Sequence, residues 1–189
     1  MNGFETVNFT KQLKDTIVLD AATASEVGVV TDLLLDPCQG TALALLFQPP
    51  AGKEQALLPE NFLVHEDSLA VIAYGETVTD VAESASLLKD GVKAYGELIG
   101  SDIVARDGRL LGRIDDVFLR LGPLQAIYHF TSSFRQRLFG GGSYLVGNAP
   151  GQYSRIGTRL IVPSDTENFY VFGSLGESVE AWRQETVAA

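Results

Sequence analysis

Few side chains of this 189-residue chain stand in patterns that could do chemistry. His65 precedes Glu66 and Asp67, a trio that could hold a divalent metal. Adjacent residues on a strand point to opposite faces, and no second His or Cys cluster supplies further ligands, so this is read as a surface turn and no metal is expected. His129 lies between Tyr128 and Phe130 in a predicted strand, as a rim residue or a core imidazole with its hydrogen bonds satisfied. Asp115 and Asp116 could pair as carboxylates, but only Asp116 is echoed elsewhere, by Asp32, which favours bonding of a turn amide. Cys38 follows Asp36-Pro37, with no base or positive field to stabilise a thiolate, and is read as an inert turn residue. With no nucleophile and base in register, the chain is read as non-enzymatic and without cofactor.

Binding chemistry is concentrated in one stretch. Residues 131–156 hold Arg135 and Arg137 among the aromatics Phe134, Phe139, Tyr144 and Tyr153. Arginine forks and aromatic faces suit protein interfaces and single-stranded RNA alike, so these six residues are the candidate partner contacts. A long hairpin that only covers a barrel mouth is the plainer alternative. Gly140–Gly142 could form an anion nest, but no Gly-Lys-Ser/Thr follows, so a nucleotide loop is not expected.

The elements that position these residues come as a repeat. Gly28–Leu35 is answered by Gly112–Leu119 with the same order of residue types. Leu13 and Ile17-Val18 are matched to Ile99 and Ile103-Val104, Phe47 to Phe130, and Leu57-Leu58-Pro59 to Ile161-Val162-Pro163. The spacing runs 86, 84, 83 and then 104 residues, which places an insertion between Phe130 and Ile161. Chance rarely keeps apolar register through four blocks, so duplication is the working premise.

Within each copy the strands are short, and turn residues such as Asp36–Gly40, Pro49–Gly52 and Asp107-Gly108 separate them. Pro59–Asp67 reads as an irregular connection or a single turn, and residues 1–12 as a loose lead-in. Asp80 and Glu83 stand in capping-box relation ahead of Val81, Ala85, Leu88 and Val92, which predicts a linker helix over about residues 80–90. The predicted fold is mainly β: two tandem small antiparallel β-barrels joined by that short helix. The first spans 9–78, the linker 79–95 and the second 96–175 with its insertion at 131–156; a weakly helical tail occupies 176–189.

Net charge is −10, but it is unevenly spread. Residues 1–99 carry 5 Lys/Arg against 15 Asp/Glu, residues 100–160 carry 8 against 4, and residues 161–189 carry 1 against 5. Such polarity can orient an encounter, although solvated surface charge is its commoner meaning. No window approaches the roughly 18 apolar residues needed to cross a bilayer. The start lacks a secretory signal and Cys38 is alone, so a cytoplasmic protein is expected.

Ile99–Leu119, with its Leu-Ile-Gly, Asp-Gly and Leu-Gly-x-Ile-x-Asp cadence, resembles the opening of a PRC-barrel domain. Leu160–Pro163 in the second copy, and Leu57–Pro59 before Asn61–Val64 in the first, are similar to that domain's Leu-Val-Pro segment. The resemblance covers two tandem copies. In the first, Ala22–Glu26 stands where the second has its Asp-Gly turn. The resemblance implies compact, roughly six-stranded barrels used for protein interaction or assembly, as in the cytoplasmic domain of the photosynthetic reaction centre H subunit and the C-terminal half of the ribosome maturation factor RimM.

Three functions follow as expectations. The leading one is a non-enzymatic interaction or assembly scaffold with a protein partner and no membrane insertion, homodimerisation being left open. The second is RNA- or ribosome-linked maturation, suggested by the arginines of the second copy. The third is small-ligand binding in the cleft between barrels.

Overall fold

The computed structural model of the chain describes residues 6–65, 70–74, 79–80, 92–121, 124–133, 141–146, 153–166 and 170–187. The first half contributes β1 (Thr6–Asn8), β2 (Ile17–Asp20), β3 (Glu26–Asp36), β4 (Thr41–Gln48), β5 (Gln55–Leu57), β6 (Phe62–His65), β7 (Ala70–Ala73) and β8 (Thr79–Asp80). The second contributes β9 (Lys93–Ala94), β10 (Asp102–Ala105), β11 (Leu110–Arg120), β12 (Gln125–Thr131), β13 (Ser143–Val146), β14 (Ser154–Ile156), β15 (Arg159–Val162) and β16 (Val171–Phe172). Among the described residues the helices α1 (Tyr95–Leu98) and α2 (Leu175–Val187) accompany them.

The halves pair in the same order. β2–β3–β4–β5 run antiparallel in succession, β7 joins β2 in parallel, β6 follows β7, and β8 joins β5. In the second half β10–β11–β12–β13, β15, β14 and β16 repeat each of those steps. Irregularities repeat as well. Register shifts between Val30 and Asp32, and again between Ile114 and Asp116. Left-handed backbone recurs at Asp15 and Gly100 (φ 63° and 83°) and at Gly40 and Leu124 (φ 64° and 47°). The chain is mainly β, and the described strands form one sixteen-stranded sheet. No pairing among the described residues closes it into barrels.

Gly28 and Gly112 show why the repeat keeps its Gly-x-x-x-Asp spacing. A Cβ on Gly112 would lie 2.6 Å from Phe130 Cδ2 and 2.6 Å from the Thr131 carbonyl. On Gly28 it would meet Phe47 Cδ2 and the Gln48 carbonyl at the same 2.6 Å. Only glycine admits this approach of the following strand.

The lead-ins are exchanged. β1, ahead of the first half, pairs with β11 of the second (Val7↔Leu119), while β9, ahead of the second, pairs with β3 of the first (Lys93↔Leu35). Where the halves meet, Gln125 stands opposite Thr41. The Ala126 amide donates to the Gly40 carbonyl and the Ala42 amide to the Leu124 carbonyl, both at 2.8 Å. Such reciprocity is what a two-fold dimer interface shows, here within one chain. Residues 1–12 are therefore not a loose lead-in over the part described: Val7 and Phe9 are fully buried, and the Phe9 ring packs 4.7 Å from Tyr95. A π-type turn at Phe9–Leu13, closed by Lys14 N–H to the Phe9 carbonyl, faces the α-type turn at Tyr95–Leu98, closed by Ile99 N–H to the Tyr95 carbonyl. That one-residue difference makes Val18 the equivalent of Ile103 and Leu13 that of Leu98, so the matches of Leu13 to Ile99 and of Ile17-Val18 to Ile103-Val104 are one residue out.

Residues of both halves enter one core, from Val7, Phe9 and Leu13 through Leu45 and Phe47 to Ile103, Tyr128 and Val162. Side-chain packing therefore joins what the sequence divides.

Other expectations change. Leu57-Leu58-Pro59 does not correspond to Ile161-Val162-Pro163. β15 takes the place of β7, since Val18↔Val71 and Ile103↔Leu160 are equivalent pairs. Residues 131–156 are not a single added loop, because β13 and β14 within them pair as β5 and β6 do. Apolar alternation at Leu57 and Ile161 matched the wrong strands, having no means to register which neighbour each would join. Of Pro59–Asp67, the described residues form a 3-10 turn at Pro59–Asn61 and the strand β6, while Glu66 and Asp67 lie outside the described residues. Most of the predicted linker helix lies outside the described residues. The tail forms α2 from Leu175, where Ser174 Oγ accepts the Glu177 amide and Glu177 Oε2 the Gly173 amide, a reciprocal cap.

Candidate interaction faces

Strand alternation decides which side chains face outward. In the first half Val18, Val30 and Val71 point into the core, so their neighbours point out. Two outward rows result. Leu63, Ile72 and Leu19 stand in register across β6, β7 and β2, and end at Glu26 of β3. Ile17 stands opposite Val29 in the next row. Leu63 is 59 % exposed, Ile17 41 % and Tyr74, at the end of β7, 40 %. Contiguous exposed apolar side chains of this kind mark contact surfaces.

The equivalent rows of the second half carry different chemistry. Ser154, Ile161, Val104 and Leu110 form the first, with Leu110 61 % exposed at the place of Glu26. Ile156, Arg159, Asp102 and Arg113 form the second. Arg113 Nε lies 3.1 Å from Asp102 Oδ1, and Arg159 Nε 4.0 Å from Asp102 Oδ2, so one carboxylate serves two exposed guanidiniums. Beside them is a cleft of about 260 Å³, lined among others by Leu110, Gly112, Arg113 and Thr131.

Two of the carboxylates singled out from sequence, Asp32 and Asp116, are structural. Asp32 Oδ1 accepts the Leu33 amide at 2.7 Å and Asp116 Oδ1 the Val117 amide at 2.8 Å, each at a bulge rather than a turn. Asp116 also accepts from Asn8 Nδ2 at 2.7 Å and from the Tyr95 hydroxyl at 2.8 Å, and Thr10 bonds both Tyr95 and Asp116. Asp116 thus ties both exchanged lead-ins to β11. Burial, with Asp116 adding to it, raises the Tyr95 phenol well above the ordinary value, so it remains a donor. Asp32 is also raised by burial.

Of the six candidate contacts, Phe134, Arg135, Arg137 and Phe139 lie outside the described residues. Tyr144 sits on β13, its ring 5.0 Å from His129 and 5.8 Å from Phe118. Tyr153 is a core residue and not a surface contact: it is 5 % exposed and its hydroxyl donates to the Val146 carbonyl at 3.0 Å. The side chain of His65 lies outside the description, as do Glu66 and Asp67. His129 occupies the space that a Cβ on Gly142 would need, 2.1 Å from its Nε2, which gives one glycine of the triplet a packing role. Cys38 is half-buried in the turn where Asp36 Oδ1 accepts the Cys38 and Gln39 amides. Burial, then Asp36, pushes its thiol up and away from reactivity.

The sequence contained a signal for the outward rows in the alternation Ile17-Val18-Leu19 and Leu63-Val64. Which parity faces out depends on register, which apolar alternation alone does not fix. No helix among the described residues is long and apolar enough to cross a membrane. No protein-family model matches the chain and no curated protein matches it.

Proposed function

We propose that this protein is a non-catalytic assembly scaffold made of two tandem PRC-barrel-like modules whose shared fold carries two diverged contact faces. The observation that supports it is a difference at one topological position: Ile17 opposite Val29 in the first half becomes Asp102 opposite Arg113 in the second. The pairing around that position is conserved between the halves while its surface chemistry is not. Two faces of unlike chemistry on one chain bind two different surfaces, which is what a scaffold requires. RNA-linked maturation ranks below this reading, because Arg113 and Arg159 share Asp102, and Arg109 lies 3.5 Å from Asp107, which offsets the positive field a phosphate backbone would meet.

Quantitative cross-linking of the full chain in native extract tests the proposal. Leu63→Glu and Arg113→Glu are expected to remove different cross-linked partners, and Arg135→Ala with Arg137→Ala reports on the 131–156 stretch. An unchanged partner set in all three variants would refute the scaffold reading.

A further inference from the structure

The second half carries a further apolar surface, on the side of its sheet away from the main core. Ala126 and Tyr128 of β12 enter that core, so Ile127 between them faces the other way. Phe118, Ile127 and Val146 stand in one row across β11, β12 and β13, and Tyr144 stands beside it opposite Phe172 of β16. These side chains form a cluster separate from the main core, and among the described residues its cover is α2, through Leu175 and Val179. At the equivalent place in the first half Leu34 stands opposite Ala44, a smaller side chain at each position.

Little holds α2 in place. Its described apolar contacts are Leu175 and Val179, one helical turn apart, with Val179 only 8 % exposed. The side-chain hydrogen bonds at its start close on themselves: Ser174 Oγ accepts the Glu177 amide, Glu177 Oε2 accepts the Gly173 amide, and the Ser178 hydroxyl donates to the Leu175 carbonyl. None of the three ties the helix to a strand. Gly176 lies in the first turn, where an added Cβ would meet nothing within 4 Å, so packing does not require glycine there and its cost to helix formation is uncompensated. A helix of 13 residues is marginal in water by itself, so α2 stays folded by staying docked. Its release breaks none of the strand pairs.

We infer that α2 is a displaceable strap over a docking face, and that the partner this face takes is an amphipathic helix with two apolar side chains one turn apart, as α2 itself presents. The inference goes beyond the two outward rows and does not use them. Phe118, Tyr144 and Phe172 supply aromatic surface beneath the strap, the class of side chain enriched at protein contacts. Tyr144, a candidate contact from the sequence, thus belongs to a face that α2 now occupies. A helix from outside competes with α2 for it, so binding is weak while the strap is closed and tight once it is open.

Two measurements on the full chain decide this. In native-state hydrogen exchange the amides of residues 179–187 should exchange at least about a hundredfold faster than those of β12, because the strap opens without the sheet. Gly176→Ala should slow them about two- to fivefold, the glycine-to-alanine difference in a helix read as an opening constant. The second measurement is binding of a dye-labelled peptide of residues 173–187, followed by fluorescence anisotropy. Val179→Asp should bind it at least about tenfold more tightly than wild type, because its own strap no longer competes, and Gly176→Ala more weakly than wild type. Tyr144→Ala placed in the Val179→Asp chain should lose that gain, and circular dichroism checks that each variant keeps the β fold. Amides of α2 that exchange no faster than those of β12 overturn the inference, as does a peptide that binds Val179→Asp no better than wild type. Should Val179→Asp fail to fold, a Gly176→Ala chain that leaves both exchange and peptide binding unchanged overturns it equally. If the peptide readout fails while Leu63→Glu and Arg113→Glu still remove their cross-linked partners, the strap is refuted and the two-face reading stands.

Discussion

Replacing Gly112 with alanine tests the strand geometry most locally. The added Cβ would sit 2.6 Å from both Phe130 Cδ2 and the Thr131 carbonyl, about 1 Å inside ordinary contact. One of those atoms belongs to the backbone of β12, so the strand must shift and a rotamer change cannot relieve the clash. Overpacking of that kind costs about 1–3 kcal/mol, and the backbone contact places Gly112→Ala in the upper part of that range. Gly28→Ala should cost a similar amount, since Phe47 and the Gln48 carbonyl stand at the same distance. Gly96 is the control: a Cβ there meets nothing within 4 Å, and alanine in a helical turn should add about 0.5–1 kcal/mol. Urea unfolding followed by circular dichroism gives all three values, read as midpoint shifts at unchanged slope. Loss below about 0.5 kcal/mol at either strand glycine, or a large inequality between them, would refute the equivalence of the two halves at this position.

Phe9→Ala removes a fully buried ring against Tyr95 and should cost about 3–5 kcal/mol in one cooperative transition; a small loss would show that the lead-in is not part of the shared core. The Tyr128 hydroxyl is buried with no hydrogen-bond partner among the described residues, so Tyr128→Phe should leave thermal stability unchanged or improve it by up to about 2 kcal/mol, and a clear loss would reveal a partner. Burial raises the Asp32 carboxyl above the ordinary 3.8, so its ionised form is penalised in the fold. That penalty is full at neutral pH, fades as pH falls through the raised value held in the fold, and is gone below the ordinary 3.8. Asp32→Asn, which keeps an acceptor for the Leu33 amide, should therefore stabilise the protein at pH 7 and lose its advantage towards pH 3. A benefit independent of pH would contradict this.

Much of the architecture was legible because the repeat is written in residues with strict backbone demands. Gly28 and Gly112 mark the close strand approach, and Asp32 and Asp116 mark the bulges, so the two long strands aligned correctly from sequence. The match slipped by one residue at Ile17-Val18, and it failed past Phe130, where Leu57-Leu58-Pro59 and Ile161-Val162-Pro163 look alike but join different neighbours. Short apolar runs carry parity but not partner. The exchange of lead-ins was hidden for the same reason: Thr6–Asn8 is three residues long, and nothing in it distinguishes β11 from β3 as its neighbour. The outward faces required both parity and register. Among the aromatics of 131–156, Tyr153 is core, because an aromatic with a polar tip suits a buried hydrogen bond as well as an interface.

Native-state hydrogen exchange on Val7→Pro bears most directly on the claim that the two halves complete each other. Proline at this position removes the pairing of β1 with β11. Protection should fall along Leu110–Arg120 of the second half at least as much as along Glu26–Asp36 of the first. Full protection at Leu110–Arg120, with loss confined to residues 13–74, would show two self-contained modules and contradict the exchange.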